Sequence, residues 1–429
     1  MTVEVATKEL EKKYNRLVGT AASNLCAHCG WCMDACHVYQ ATHDPEVTPV
    51  AKAERVRRVY KKGHDWMSKV FPFWTGAKPL TEEELKKWVE VAFRDCTLCE
   101  RCVVNCPMGV ETPQLIAAAR SALTAAGMAP ELLTQLADMA ISREENADLF
   151  RDFFLEQVKE MEKELQAHLK DPEARIPVGQ EGARILYVPL SGAHTMLPPA
   201  ILFNSARESW TMSMFEASNY GVFLGDTARA KRIAERIINE AKRLKVEEIV
   251  LAECGHAYST MRWEAPKWFG GPLPFRVRSI LEVLDEYVRA GRLNLDASCN
   301  REPVTYHDSC NLGRKGGLFE EPRRVLQAVA QDFREMTPNR AQSLCCGGGA
   351  GLVAIPEWAE ARIKAGKPKA DQIRQTGASV VVMSCDNCRH QISELNEHYS
   401  LGIKVTSLAE LTVQALVPAG AEKRVLVQI

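Results

Sequence analysis

The cysteine spacing of 26-CAHCGWCMDAC-36 recurs at 96-CTLCERCVVNC-106, and both stretches follow C-x₂-C-x₂-C-x₃-C. In such runs the first three thiolates wrap around one cuboidal iron–sulfur cluster, and the fourth ligates the neighbouring cluster. The sequence therefore predicts two cubane [4Fe–4S] clusters with crosswise ligation. One set of ligands is Cys26, Cys29, Cys32 and Cys106, and the other is Cys96, Cys99, Cys102 and Cys36.

Disulfide bonds and structural zinc account for these cysteines less well. A disulfide framework is typical of short secreted chains, whereas this chain has 429 residues and begins Met1-Thr2-Val3-Glu4, without the basic and apolar regions of a signal peptide. Structural zinc uses two C-x₂-C pairs and leaves the later cysteines of each run without a role. Free thiols in this number favour a reducing compartment. We expect a cytoplasmic location, either free in the cytoplasm or peripheral on the inner face of the membrane.

The composition is that of a globular protein, with 46% hydrophobic residues and a formal net charge of −1. At about 150 residues per domain, the length allows about three domains. Nucleic acid is not expected as a partner, because its binding needs a basic face. The apolar runs are too short for a membrane-spanning helix, so we expect no membrane span in the chain.

The N-terminal part has almost no strand signal before residue 180. Helical patterns cover residues 4–18, 85–93 and 114–126, and Thr81 and Glu84 form a capping-box pattern before the second of them. We predict an α-helical, ferredoxin-like domain with two [4Fe–4S] clusters over residues 1–130. A charged helical linker is predicted over residues 131–180, with its most charged part at residues 143–172.

Beyond residue 180, short apolar runs alternate with helical patterns, which predicts a parallel-sheet α/β fold. The runs are residues 184–190, 248–251, 304–306 and 379–383, and the clearest helices are residues 226–243 and 356–375. Residues 184–295 can be aligned with residues 303–416, so we predict a duplication. The first repeat covers residues 181–300 and is degenerate, and the second covers residues 301–429.

The second repeat carries five cysteines where the first carries one. The positions of Cys310, Cys345, Cys346, Cys385 and Cys388 are held in the first repeat by Ser191, Asn219, Tyr220, Cys254 and Ala257. Several of them follow predicted strands, at the sheet edge where α/β folds build their sites. Five thiolates are one more than a cubane needs, and Gly347 and Gly348 let the backbone approach a bulky group. The pattern predicts an iron–sulfur site of uncommon shape.

This third group resembles the CCG domain of heterodisulfide reductases. The resemblance rests on the five cysteines with Gly347, on Tyr306-His307-Asp308 before them and on Asn311-Leu312-Gly313-Arg314 after the first of them. It extends over nearly the whole chain, because fused subunits of that family also carry two cubane runs. Within the family, the chain most resembles the cytoplasmic catalytic subunits of the Dsr membrane complex and its Hmc and Tmc relatives. The resemblance implies a noncubane [4Fe–4S] centre on the five cysteines, with Gly347 and Gly348 beside it. The replaced positions argue against a second such centre in the first repeat.

The implied function is that of an iron–sulfur oxidoreductase subunit. Electrons would pass through the two cubane clusters to or from the noncubane centre, where a disulfide is reduced or formed. The implied partners are a membrane b-type cytochrome or other redox subunit, and a thiol or disulfide substrate such as a small dithiol protein. Two alternatives stay open: a non-catalytic electron-transfer subunit, and the iron–sulfur subunit of a glycolate- or lactate-type dehydrogenase.

Single residues outside the motifs carry weaker signals. His256 is interpreted either as a hydrogen-bonded buried histidine or as a catalytic group that exchanges a proton with a thiolate. Cys254 is expected to be a buried free thiol. We expect the basic segment of residues 52–62 to be a solvated helix face. We expect Trp66, Trp74 and Trp88 to pack inside the protein. We expect His28 and His37 to shield a cluster or to tune its reduction potential.

Overall fold

The computed structural model describes residues 2–13, 25–142 and 151–417. Within these ranges every regular element up to residue 169 is a helix, and the first strand begins at Ile185, so the predicted lack of strands before residue 180 is confirmed there. Residues 14–18 of the first predicted helix lie outside the described residues. The α-helices are α1 (Thr2–Lys13), α2 (His37–Thr42), α3 (Pro49–His64), α4 (Trp66–Val70), α5 (Pro72–Thr75), α6 (Glu82–Val89), α7 (Arg101–Val104), α8 (Thr112–Ala125), α9 (Glu131–Ser142) and α10 (Arg151–Leu169).

The N-terminal helices pack around one apolar core. Leu10, Val56, Leu85 and Leu115 are buried together there, each on the apolar face of its own helix. Helix α6 begins as predicted, since the Thr81 hydroxyl accepts a hydrogen bond from the Glu84 backbone N–H at 3.2 Å. The expected reciprocal bond is missing because the Glu84 carboxylate accepts from the side chains of Arg55 and Trp88 instead. A π-helical turn, Glu90–Arg94, then leads into the second cysteine run.

Helix α10 is more than the solvated connection that its charge suggests. Val158, Met161 and Leu165 lie on one face of it and are buried in the core of the first α/β repeat. Their spacing of three and four residues is that of a helical stripe, so the charged residues occupy the other faces. Residues 143–150 of the predicted linker lie outside the described part of the chain.

Two parallel four-stranded sheets follow, and they have the same strand order. The first is β2-β1-β3-β4 and the second is β6-β5-β7-β8. In each sheet the two central strands are also the first and third along the chain, which confirms the predicted parallel α/β architecture and the duplication. The strands are β1 (Ile185–Val188), β2 (Trp210–Met212), β3 (Glu248–Leu251), β4 (Arg276–Ser279), β5 (Val304–His307), β6 (Phe333–Arg334), β7 (Val380–Met383) and β8 (Lys404–Ser407).

Helices cover these sheets and connect their parallel strands. In the first repeat they are α11 (Leu197–Ser205), α12 (Tyr220–Phe223), α13 (Thr227–Arg243), α14 (Gly255–Ser259), α15 (Ala265–Trp268) and α16 (Ile280–Arg289). In the second they are α17 (Glu320–Val329), α18 (Ala359–Ala365), α19 (Lys367–Thr376), α20 (Asp386–Tyr399) and α21 (Leu408–Gln414).

The helix predicted over residues 356–375 is interrupted at Gly366, between α18 and α19. A Cβ at Gly366 would lie 2.8 Å from side-chain atoms of Gln391 and Leu395 and 3.0 Å from the Cys346 carbonyl oxygen. The interruption therefore lets the backbone pass close to the CCG cysteines. None of the helices in the described ranges is long and apolar enough to cross a membrane.

Candidate functional site

The first cysteine run and the last cysteine of the second run share one site. Cys26, Cys29, Cys32 and Cys106 line a common cavity with Arg57. The pKa of Cys32 is raised to about 11 by burial and by the neighbouring thiols of Cys106 and Cys26. Gly30, with φ of 79°, supplies the left-handed turn between Cys29 and Cys32.

The second run meets Cys36 in the same way. Burial raises the pKa of Cys102 well above its ordinary value, and the thiols of Cys99, Cys96 and Cys36 raise it further. Cys36 ends the first run and directly precedes α2, whose first residue is His37. Cys106 thus lies beside the first run and Cys36 lies beside the second. Cys102 also lines the first cavity, and Cys32 also raises the pKa of Cys102, so the two groups adjoin each other.

Two cations of helix α3 are buried against these groups, so the expectation of a solvated helix face is wrong for them. Lys52 is only 2% exposed, and its ammonium group lies 3.6 Å from Cys36 Sγ and donates a hydrogen bond to the Asp95 carbonyl oxygen. Arg57 is 0% exposed and is one of the residues that line the cavity of the first site. Glu54 lies 3.4 Å from Arg57 Nε, yet no Arg57 nitrogen makes a hydrogen bond within the described chain.

The third group of cysteines converges at the carboxyl ends of β5 and β7. Cys310, Cys345, Cys346, Cys385 and Cys388 are all buried. Cys310 follows β5, whereas Cys385 follows β7 and is the N-cap residue of α20. Cys346 Sγ lies 3.3 Å from Cys388 Sγ. The pKa of Cys345 is raised by hydrogen bonding to Cys310, then to Cys346 and Cys99, and by burial.

Backbone N–H groups of the glycine run point at these sulfurs. Gly347 donates to Cys345 Sγ at 3.4 Å, and Gly348 donates to Cys346 Sγ at 3.5 Å. Gly347 has φ of 99°, and a Cβ at Gly348 would lie 2.8 Å from Gln391 Cβ. Both positions therefore need glycine, and both bring hydrogen-bond donors to sulfur atoms.

Further polar side chains surround the third group. Asn311 Nδ2 lies 3.6 Å from Cys310 Sγ. The ligand atoms of His307, Cys346 and Cys388 lie within 4.8 Å of one another. Lys369 is buried nearby, and its pKa is lowered to about 8 by burial, against the opposing effects of Cys346 and Asp308. Asp308 itself is held by Arg323 at 2.8 Å.

The third group lies directly against the second cysteine run. Thr97 Oγ1 is 3.3 Å from Cys345 Sγ, and the ligand atoms of His37, Cys99 and Cys345 lie within 4.8 Å of one another. Arg314 fastens the two segments, since it donates to the carbonyl oxygens of Cys99 and Ser343, each at 2.7 Å. The helical domain and the second repeat thus form one continuous site.

The degenerate repeat faces the same centre without a matching ligand set. Asn219 is engaged as the cap of α12, since it accepts from the Val222 N–H and donates to the Ala230 carbonyl oxygen. Cys254 is buried, as expected, and its pKa is raised to about 12 by burial and by neighbouring Cys385.

His256 lies between the two repeats. Its Nε2 accepts a hydrogen bond from the Ala350 N–H at 3.3 Å and lies 3.2 Å from Asn311 Nδ2. Burial, with the positive charges of Lys315 and Arg120, lowers the pKa of His256 to about 3. The ring is therefore neutral near pH 7 and serves as an acceptor, which fits the hydrogen-bonded interpretation better than that of a proton donor.

The sequence did not indicate a role at the cysteine sites for Lys52, Arg57, Thr97 or Lys369, and it placed Arg314 in the CCG motif without indicating its contact with the second run. A usable signal existed for Lys52, because it shares a helical face with Val56, Val59 and Tyr60, all of which are buried. Thr97 has no such signal, since its importance comes from a contact with Cys345 in a distant segment.

Comparisons with known proteins agree with this architecture. Residues 304–393 match the family model of the CCG cysteine-rich domain, and residues 22–110 match that of a 4Fe-4S dicluster domain. The chain is 28% identical to the Hdr-like menaquinol oxidoreductase iron-sulfur subunit 2 of Archaeoglobus fulgidus, over 92% of this chain and 80% of that protein. It is 25% identical to a subunit of the dihydromethanophenazine:CoB–CoM heterodisulfide reductase of Methanosarcina barkeri, over 96% of this chain and 98% of that protein. The EtfAB:quinone oxidoreductase of Syntrophomonas wolfei is 24% identical, over 90% of this chain and 56% of that protein.

These matches confirm the predicted resemblance to heterodisulfide-reductase-like iron–sulfur proteins with a CCG domain. The chain is an iron–sulfur oxidoreductase subunit of this type. The residues present fit iron–sulfur clusters, because each of the three groups consists of cysteine thiols that lie near one another. Beside the first group, the buried Arg57 nitrogens have no hydrogen-bond acceptor within the described chain.

Proposed function

We propose that this chain, which is similar over nearly its whole length to heterodisulfide-reductase-type iron–sulfur subunits, couples one-electron transfer to the reduction or formation of a disulfide. The observation that carries the proposal is the convergence of five buried cysteines beside Cys99 of the second run. Reduction of a disulfide takes two electrons, whereas an iron–sulfur cluster transfers one at a time. The five-cysteine site therefore needs a neighbouring centre that can supply or accept electrons in two single steps.

The grouping of the thiols supports three ligand sets. Cys26, Cys29, Cys32 and Cys106 would hold one cubane [4Fe–4S] cluster, and Cys96, Cys99, Cys102 and Cys36 would hold the other. Cys310, Cys345, Cys346, Cys385 and Cys388 would hold a noncubane [4Fe–4S] centre. When bound, such clusters supply one-electron transfer and an iron edge that can hold sulfur.

The chain's own groups prepare the third site for thiolate chemistry. The N–H groups of Gly347 and Gly348 and the Asn311 amide point at cysteine sulfurs and stabilise their deprotonated form. Lys369 adds a buried cation whose charge favours the Cys346 thiolate. Burial of all five cysteines limits access of water, so the potential of the site is set by these neighbours.

The substrate and the electron partner are proposed from the relatives. One relative is named a menaquinol oxidoreductase subunit and another a heterodisulfide reductase subunit. We therefore assign a thiol or disulfide substrate, with a small dithiol protein included, and a membrane redox subunit such as a b-type cytochrome as partner. The expected location is the cytoplasm, at the inner face of the membrane that holds this partner.

Metal content and thiol-dependent spectroscopy test the proposal. Three [4Fe–4S] centres require about 12 iron atoms per chain after anaerobic purification. Oxidation in the presence of a thiol substrate should give a paramagnetic signal that is absent without thiol. A chain with about 8 iron atoms, in which Cys310 and Cys385 are free to alkylate, would contradict the third centre.

The second candidate is an electron relay without a substrate of its own. The observation that favours it is the similarity to a relative that is named an EtfAB:quinone oxidoreductase. A relay would keep all three centres reducible, yet its spectra would be unchanged by every thiol tested.

A further inference from the structure

An exposed apolar hairpin lies at the end of helix α3. It consists of α4 (Trp66–Val70) and α5 (Pro72–Thr75) and is called the aromatic hairpin below. Trp66 is 71% exposed, Phe73 is 99% exposed and Trp74 is 82% exposed. The expectation that Trp66 and Trp74 pack inside the protein is thus wrong, whereas Trp88 is buried as expected.

The aromatic hairpin is a built element with its own hydrogen bonds. Asp65 caps α4 by accepting from the Met67 N–H at 3.0 Å and from the Ser68 hydroxyl at 2.8 Å. Ser68 is buried and also bonds Thr75 Oγ1 at 2.9 Å, which ties α4 to α5. The aromatic side chains are therefore held outward by a defined fold. A cluster of large apolar side chains presented this way marks a binding surface.

Lysines surround the apolar side chains. Lys62, Lys69 and Lys78 are exposed, and none of them forms an ion pair with a described residue. The acidic residue of this stretch, Asp65, is used as a helix cap. The surface therefore combines aromatic rings with net positive charge.

This combination distinguishes between two kinds of partner. Protein–protein interfaces are enriched in aromatic residues but depleted in lysine. Surfaces that lie in the headgroup region of a bilayer carry tryptophan and phenylalanine beside lysines, because the rings enter the interface while the ammonium groups meet anionic lipids. We propose that the aromatic hairpin inserts into the interface of a bilayer that contains anionic lipids.

The aromatic hairpin is connected to the first cysteine site through helix α3. Arg57 lines the first cysteine site, and helix α3 runs from there to His64, just before the hairpin begins. At about 1.5 Å per residue, the distance from Arg57 to the helix end is roughly 10 Å. Insertion would hold the first cluster site close to the membrane surface, where a quinol-linked partner can reach it.

Flotation of the anaerobically purified full chain with vesicles tests the proposal. The protein should float with vesicles of phosphatidylcholine and phosphatidylglycerol, and much less with phosphatidylcholine alone. The double variant Phe73→Ser/Trp74→Ser should bind at least about tenfold more weakly, because it removes two rings from the buried contact. Lys62→Gln/Lys69→Gln should lose about fivefold per lysine on the anionic vesicles only.

Trp263→Ser is the matched control, because Trp263 is another exposed tryptophan, 46% accessible, outside the hairpin. It should float like the unmodified protein, and the cluster absorbance of every variant should be intact. The proposal is overturned if the unmodified chain ignores all vesicles, or if the Phe73→Ser/Trp74→Ser variant floats normally. It is also overturned if binding requires a membrane protein in the vesicles, or if the hairpin instead forms a dimer that this variant dissociates. Vesicle binding needs no turnover, so its failure leaves the proposed disulfide chemistry untouched.

Discussion

Lys52 and Arg57 show how the surroundings of a residue change its role. In sequence they belong to a basic segment of ordinary appearance, and in the structure they are the two members of that segment buried beside cysteine groups. A buried positive charge stabilises the reduced, more negative state of a nearby cluster and so raises its reduction potential. Each cation faces a different cysteine group, so one helix can adjust two potentials separately.

Replacing Lys52 with Met should lower the potential of the cluster at Cys36, Cys96, Cys99 and Cys102. A unit charge about 7 Å away at an effective dielectric constant of about 20 contributes roughly 2 kcal/mol, which corresponds to about 100 mV for one electron. Redox titration followed by electron paramagnetic resonance measures the shift. Lys62→Met, at an exposed position of the same helix, is the control and should leave both potentials unchanged.

Arg57→Gln should lower the potential of the other cubane cluster, at Cys26, Cys29, Cys32 and Cys106. The shift should be smaller, roughly 50 mV, because Glu54 lies 3.4 Å from Arg57 Nε and offsets part of its charge. The same titration resolves it, with Arg58→Gln as the control. Equal shifts for Arg57→Gln and Arg58→Gln would mean that burial of the guanidinium has no special effect.

Crosswise ligation makes a further prediction at single residues. Cys106→Ser should damage the cluster of the first run, and Cys36→Ser should damage that of the second run, because each lies among the cysteines of the other. Spectroscopy of the two variants distinguishes the clusters. If each substitution instead damages the cluster of its own run, the ferredoxin-like arrangement is wrong.

Among the elements, the sequence predicted the central strands of the two sheets but not the edge strands. The four predicted strands are β1, β3, β5 and β7, which are the central ones, and all of their residues are buried. The four missed strands, β2, β4, β6 and β8, are the edges of the two sheets. Edge strands are short or partly polar here, as in Arg276–Ser279 and Lys404–Ser407. Their apolar signal is weak because β2 and β6 have only 3 and 2 residues, and because β4 and β8 each begin with an exposed charged residue.

The missed edge strands β4 and β8 end in matching helix caps. Ser279 and Glu282 form a capping box at α16, and Ser407 and Glu410 form one at α21. The two capping boxes indicate the duplication independently of the cysteine spacing. It could have been found by looking for S-x-x-E at equivalent places in the two repeats.

Ser407→Ala should therefore destabilise the second repeat by about 1 kcal/mol, since it removes the acceptor for the Glu410 N–H. The midpoint of thermal unfolding should fall by about 2–4 °C. Ser279→Ala should have a similar effect in the first repeat. Ser142→Ala, at the exposed end of α9, is the control and should change the midpoint little. Loss of the cap without any change in the midpoint would show that the box contributes nothing to stability.

At the scale of the whole molecule, the cysteine motifs predicted the three groups but not their order in space. Motif spacing is local, whereas the contact of Thr97 with Cys345 joins residues far apart in the chain. The Arg314 guanidinium completes that junction by donating to the backbone carbonyl oxygens of Cys99 and Ser343, and these acceptors leave no pattern in the sequence. The junction brings the second run into direct contact with the CCG cysteines.

Substitutions among the CCG cysteines separate a catalyst from a relay. Cys346→Ala removes a sulfur that lies 3.3 Å from Cys388 and faces His307 and Lys369, so it should abolish thiol–disulfide turnover. The two N-terminal clusters should remain reducible, because their ligand sets lie in a helical domain with its own core. Cys254→Ala is the matched control, since Cys254 is a buried thiol beside Cys385 but outside the proposed ligand set. Turnover should survive in that variant. A Cys346→Ala protein that still turns over thiols would show that the disulfide chemistry does not take place at the CCG cysteines. An unmodified protein whose spectra ignore every thiol would assign the chain to electron transfer alone.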